Sequence, residues 1–208
     1  MARLRAADYD GKRQAILDRS TELFARKGYD RTSMAEVAAA CGVSKALVYH
    51  YYASKETLLF DILRDHLQAL IDAVAAVETR LAARPRLRAL VGALLEAYRD
   101  ADHEHRIQLN ELDKLPAAKQ TQLKDMEREL VQAFAVAIAD VVPPVGRDRR
   151  LLMPVTMSLF GMLNWHYMWF RDAGPLTRED YADLATTLLV EGAQALATER
   201  RIVGRVSA

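Results

Sequence analysis

The chain is expected to be all-α: an N-terminal three-helix helix-turn-helix unit followed by a larger helical domain, about nine helices in total. Ala, Leu, Glu and Arg dominate, and few runs alternate apolar with polar residues, so strands have little pattern to form on. Apolar residues recur instead at three- and four-residue spacing along most of the chain. Hydrophobic residues make up 51% and charged residues 27% of 208 residues, with a net charge of +1, which suits a packed core rather than disorder.

The first helix is expected from about Lys12 to Lys27, with Ile16, Leu23 and Phe24 on one face and Gly28 as its stop. Ser33-x-x-Glu36 is a capping box that opens a short second helix ending at Gly42. Ser44 caps a third through Tyr52, and Ser54 a long fourth from Lys55 to about Ala82. Beyond Pro85, segments follow at about Arg86 to Ala101, His103 to Leu115 and Ala117 to Val142. "VVPPVG" at 141 to 146 is a break. Two long helices close the chain, about Asp148 to Asp172 and Arg178 to Arg201, the second capped by Thr177. Residues 1–54 form the expected first domain and 55–208 the second.

Charge is uneven. Residues 1 to 55 hold ten Lys/Arg and six Asp/Glu, whereas the remainder holds 19 and 22. A basic end on a mildly acidic body suits contact with a polyanion at that end. Cys41 is the only cysteine, which excludes an intrachain disulfide and an all-cysteine zinc site. The N-terminus meets a charged amphipathic pattern where a signal peptide needs an apolar run, so a cytoplasmic protein is expected. The uncharged stretch "LLMPVTMSLFGMLNWHYMWF" is about long enough to span a bilayer, but Pro154, Thr156, Ser158, Gly161, Asn164 and His166 make it too polar for lipid. A buried or interfacial helix, with no membrane contact, is the expectation.

Residues 34 to 53 carry the strongest pattern. Helices crossing steeply need a small residue in the first and a glycine in the turn, and Ala38 and Gly42 fill those places. Met34, Val37, Cys41, Val43, Val48 and Tyr51 close a small core with Phe24. Helical spacing sends Leu47, Val48, Tyr51 and Tyr52 inward and Lys45, Ala46, Tyr49 and His50 outward. By itself an exposed Tyr–His pair reads as ordinary surface.

"GYDRTSMAEVAAACGVSKALVYHYYASKETLL", Gly28 to Leu59, resembles the DNA-binding region of the TetR/AcrR family of bacterial transcriptional regulators. Gly28-Tyr29, Thr32-Ser33, Ala38, Gly42-Val43-Ser44 and Tyr49-x-x-Tyr52-x-x-Lys55-Glu56 carry the resemblance, with Tyr52 where phenylalanine is more usual. It implies a homodimer that places each third helix in a major groove of operator DNA, with a diverging C-terminal region for ligand and dimerisation. Carried over by position, Ser33, Tyr49, His50 and Lys55 are phosphate contacts, with Arg31, Thr32 and the Tyr51 hydroxyl as additions. Ser44, Lys45 and Ala46 are base readers; lysine can bond guanine O6 and N7, and alanine can touch a thymine methyl. Arg3 and Arg5 are candidates for an arm that tracks a groove.

The second dense stretch is "LFGMLNWHYMWFRDAGPL". Trp165 and Trp169, four apart, share one face with Met162, while His166 and Phe170 form the neighbouring stripe. At this spacing core or dimer interface is the plain reading. Small residues at Gly161 and Ser158, and at Ala182, Ala185, Gly192, Ala193 and Ala195, make the last two helices the candidate four-helix dimer interface. Phe160-Gly161-Met162-Leu163-Asn164-Trp165, with Trp169-Phe170-Arg171, resembles a segment in TetR-family regulators of fatty-acid, steroid and aromatic-acid breakdown, whose effector is commonly an acyl-coenzyme A. That resemblance implies an apolar pocket, for which Met162, Trp165, His166, Trp169, Phe134 and Tyr98 are candidates. Arg106, Arg149 and Arg171 are candidates for the phosphates at its mouth, and Asn110 is a candidate ligand contact.

The leading expectation is therefore a ligand-responsive homodimeric repressor, with the fourth helix as lever between its halves. Two other classes compete: a regulator without a small-molecule ligand, or an activator; and an enzyme using His166 or His103. No nucleophile elbow, phosphate loop or metal-ligand spacing supports the enzyme, and no cofactor is expected. His103-x-His105 cannot share an ion on a helix, because residues two apart point to different sides.

Overall fold

The computed structural model describes residues 2–198, with side chains from Tyr9 onward. Among these residues there are eleven α-helices, one 3-10 turn and no strand. The order is α1 (Ala2–Lys27), α2 (Met34–Ala40), α3 (Lys45–Tyr51), α4 (Lys55–Ala75), α5 (Ala83–Ala97), α6 (Asp102–Glu111), the 3-10 turn (Leu112–Lys114), α7 (Ala117–Val141), α8 (Pro143–Arg147), α9 (Arg149–Asn164), α10 (His166–Trp169) and α11 (Arg178–Thr198). Two compact units result: residues 1–68 with 100–125, and residues 69–99 with 126–208. The division falls inside α4, later than the expected junction at residue 54, and the first unit also takes in α6.

In the first unit, α1 ends where Gly28 turns left-handed (φ +86°) and its N–H still donates to the Phe24 carbonyl. Ser33 and Glu36 then form the expected capping box. α2 closes with a Schellman turn: Val43 N–H donates to Ala38 O at 3.0 Å and Gly42 N–H to Ala39 O at 3.1 Å. Gly42 supplies the positive φ (+64°) that this turn needs. Ser44 caps α3 through the Leu47 N–H, and Ser54 caps α4 through Thr57 N–H. Phe24, Val37, Ala38, Val48, Tyr52, Leu58 and Leu59 are all buried, each large apolar chain contributing roughly 1.5–3 kcal/mol. Cys41, Val43 and Leu47 stay half-buried at the rim.

In the second unit, α5 lies along α11, with Leu87, Leu94, Ala182, Ala185 and Leu189 buried. Phe134 of α7 meets Phe160 of α9 edge to face, ring centroids 5.1 Å apart. The break at "VVPPVG" is present, but the prolines open a further helix rather than a plain loop: they occupy the first turn of α8, where their missing N–H groups are not needed. A Cβ at Gly146 would lie 2.6 Å from that of Ala139, so only glycine lets α8 sit this close to α7.

Three boundaries differ from expectation. α1 begins at Ala2, not near Lys12, and α4 ends at Ala75, not near Ala82. The expected helix from Asp148 to Asp172 divides after Asn164 and ends at Trp169. At Phe170 the backbone turns extended (φ −66°, ψ 147°), and the division lets both His166 and Phe170 enter the core. The side chains of Arg3 and Arg5, and the expected last turn to Arg201, lie outside the described residues. No described helix is long and apolar enough to cross a membrane.

Candidate nucleic-acid interface

The loop before α2, the first residues of α2 and α4, and α3 present an open cleft of about 500 Å³ beside the exposed side of α3. It gathers Arg31, Thr32, Ser33, Lys45, Tyr49 and Lys55, six of the ten expected DNA-binding residues. Tyr49 is 44% exposed, and the Lys45 ammonium sits 5.7 Å from its ring centroid, so the two form one amphipathic, cationic edge. Ser44, Ala46 and His50 are exposed on α3 outside the cleft. Tyr51 is half-buried: its ring lies 4.6 Å from that of Tyr9 on α1, and His50 meets it edge to face at 5.4 Å. Tyr9 had no motif to mark it.

Two residues are held more firmly than their positions in the motif suggest. Thr32 is buried, and its hydroxyl donates to the Gly28 carbonyl at 3.0 Å, so its side chain fixes the loop. Lys55 Nζ donates to the carbonyls of Tyr29 (2.9 Å) and Thr32 (3.0 Å) and lies 4.1 Å from the Tyr29 ring centroid. It staples the loop that carries Arg31 and Ser33, and it adds positive charge to the cleft wall. Ser33 is engaged by Glu36, whose carboxyl is drawn down to about 2 by the Lys27 ammonium and the Ser33 donors. Glu36 therefore stays ionised, with its charge balanced by the Lys27 ammonium at 2.8 Å.

The expected effector residues do not form one cluster. Arg106 and Asn110 belong to α6 in the first unit, and the rest to the second. Tyr98 and Phe134 are buried; the Tyr98 hydroxyl, pushed up by burial, donates to Asn164 Oδ1 at 2.8 Å. His166 is buried, stacked on Phe170 at 4.1 Å and tilted against Tyr181 at 5.2 Å. Met162 is half-buried, whereas Trp165, Trp169, Arg149 and Arg171 are exposed. The second unit instead holds a cavity of about 160 Å³ among the tail of α4, α5 and α7. Ile71, Val74, Leu90, Leu130, Arg86 and Glu129 line it. Nothing in the sequence marks them, because they form an ordinary helical core pattern until three elements are brought together.

The apolar surface is concentrated on α9, α10 and α11. Met153, Met157, Trp165, Met168, Trp169, Leu184 and Leu188 are each more than one-third exposed. A Cβ at Gly161 or Gly192 would meet nothing within 4 Å, so both glycines face open space on these helices. Among the described residues no group of three or more His, Cys, Asp or Glu can hold a metal.

This geometry agrees with the comparisons. Residues 16–62 match the family described as "Bacterial regulatory proteins, tetR family", and residues 80–193 match "Tetracyclin repressor-like, C-terminal domain". The transcriptional repressor KstR2 of Rhodococcus jostii (strain RHA1) is 26% identical over 88% of this chain and 91% of its own length. By contrast, the 34% identity to YerO of Bacillus subtilis (strain 168) spans only 32% of that protein. A TetR-family regulator from Bordetella parapertussis 12822 superposes with a TM-score of 0.80 at 32% identity, covering 85% of this chain and 93% of that one. AibR, solved in complex with isovaleryl coenzyme A and operator DNA, superposes with a TM-score of 0.74 at 28% identity, covering 86% and 98%. The chain belongs to the TetR family of helix-turn-helix transcriptional regulators, which are DNA-binding proteins and not enzymes.

Proposed function

We propose that the chain is a cytoplasmic homodimeric repressor, released from its operator by a small acyl-coenzyme A. The observation that carries the DNA half is the cleft beside α3, where Arg31, Ser33, Tyr49 and Lys55 surround space for a phosphate backbone. Ser44, Lys45 and Ala46, at the exposed start of α3, take the base edges. The dimer half is supported by the exposed apolar faces of α9 and α11, on which glycines permit close helix approach. Trp165 and Trp169 belong to that face in this reading and not to a pocket.

The effector reading draws on AibR, whose structure holds isovaleryl coenzyme A, and on a largely apolar cavity in the second unit of this chain. About 160 Å³ with an apolar lining suits a short branched or cyclic acyl group, and Arg86 stands at its wall. Its lining includes Ile71, Val74 and Ala75 from the tail of α4, the helix whose first residue, Lys55, staples the loop beside the DNA cleft. An effector that fits best when the α4 tail is displaced shifts the population away from the DNA-competent state.

The test is a titration of short branched, cyclic and aromatic acyl-coenzyme A thioesters into the protein–operator complex. One of them releases the DNA at micromolar concentration, and Leu90→Trp, which fills the cavity, blocks release while operator affinity is kept. No release with any thioester would sink the effector reading.

A further inference from the structure

The first unit holds a second cationic site. A cavity of about 210 Å³ between the last turn of α1 and α6 is lined by Arg26, Arg31 and Arg106, with Asn110 and Glu111. It continues, through Arg26 and Arg106, into a cleft of about 510 Å³. Neighbouring cations are neutralised: Arg19 pairs with Glu22, Lys27 with Glu36 and Lys114 with Asp30, at 2.8, 2.8 and 3.0 Å. Arg26, Arg31 and Arg106 form no ion pair with a described residue. Glu111, the one carboxylate in the smaller cavity, already accepts the Tyr29 N–H at 3.2 Å. Glu111 offsets at most one of the three guanidinium charges, so an excess of positive charge faces this space, and the forked donors match a tetrahedral oxyanion.

Arg31 also lines the DNA cleft. We propose that the α1–α6 cavity binds a phosphate group, free or carried as a monoester by a small molecule, through Arg26, Arg31 and Arg106, and that its occupant competes with operator DNA for Arg31. The binding half stands on this cavity alone, while the competition rests on the DNA reading given above. By linkage the effect is mutual: operator DNA lowers phosphate affinity by the same factor.

Calorimetric titration at constant ionic strength tests it, with inorganic phosphate and adenosine 3′,5′-bisphosphate as probes and the full-length chain as target. Saturable binding to one site per subunit is expected, at least tenfold weaker in both Arg26→Ala and Arg106→Ala. Equal affinity for the two probes assigns the site to free phosphate, and a strong preference for the bisphosphate assigns it to a nucleotide-borne group; either supports the proposal. Each probe lowers operator affinity severalfold in the wild type and not in Arg106→Ala. Absence of saturable binding, or binding unchanged in the variants, overturns it. So does a tenfold loss of operator affinity in Arg106→Ala without phosphate, because that arginine would then be gripping DNA. Phosphate that binds without weakening operator affinity overturns the competition. If the wild type instead shows no sequence preference for DNA, the DNA reading fails and the phosphate titration stands unaffected.

Discussion

At the residue scale, Tyr49, Lys45 and Lys55 share one cleft but are held by different forces. Tyr49 and Lys45 are exposed, so removing them alters the proposed DNA surface and little of the packing. Tyr49→Ala is expected to weaken binding to all sequences alike, whereas Lys45→Ala relaxes preference at its base pair by about 1–3 kcal/mol, measured by competition with altered operators. Lys55 is different because two of its three N–H donors hold the Tyr29 and Thr32 carbonyls. Lys55→Ala is expected to lower unfolding free energy by about 1–2 kcal/mol in denaturant titration, in addition to weakening DNA binding. Its place in the motif was legible at once. Its hydrogen bonds were not, since their acceptors lie 23 and 26 residues earlier and depend on how the loop returns.

At the element scale, caps and turns were the most legible features because their chemistry is local. Ser33 with Glu36, the Gly42 turn, Ser44, Ser54 and Thr177 all act where spacing placed them. The division of the helix after Asn164 was not legible: no Pro or Gly marks it, and tertiary burial of His166 and Phe170 decides it. α4 and α6 meet in the first unit through His66 and His105, both buried, ring centroids 6.2 Å apart. Burial, with the His105 ring alongside, pushes the His66 imidazole down from 6.5 to about 4. A depressed folded value means that stability is held above the ordinary histidine range and lost as pH falls from about 6.5 toward 4. Between pH 7 and 5 the loss is expected to reach about 2 kcal/mol, and His66→Gln should flatten it. Glu36 acts in a lower window, below its ordinary value of 4.5, so the two effects separate on a pH series of unfolding curves.

At the scale of the whole molecule, the all-α class and the N-terminal unit followed from composition, periodicity and one motif. The cavity proposed for the effector did not, because it forms where the tail of α4, α5 and α7 converge, and each contributes residues that look like plain core. The aromatic block was legible as a dense apolar stretch, but its division into buried His166 and Phe170 and exposed Trp165 and Trp169 required the fold. Leu188, 59% exposed, and Met157, 49% exposed, stand at mid-length of α11 and α9, the helices of the proposed dimer face. Leu188→Glu is expected to yield a folded monomer by analytical ultracentrifugation, with operator affinity reduced at least a hundredfold. Two recognition helices must reach successive major grooves about 34 Å apart, and a monomer supplies only one.

Operator recognition is the claim on which the rest depends, and titration of labelled DNA from upstream of the protein's own gene tests it most directly. Binding is followed against a shuffled duplex of equal length across a range of salt. A preference of at least a thousandfold for a two-fold symmetric site is predicted, with affinity falling steeply as salt rises. Equal affinity for both duplexes, even at low salt, would contradict it.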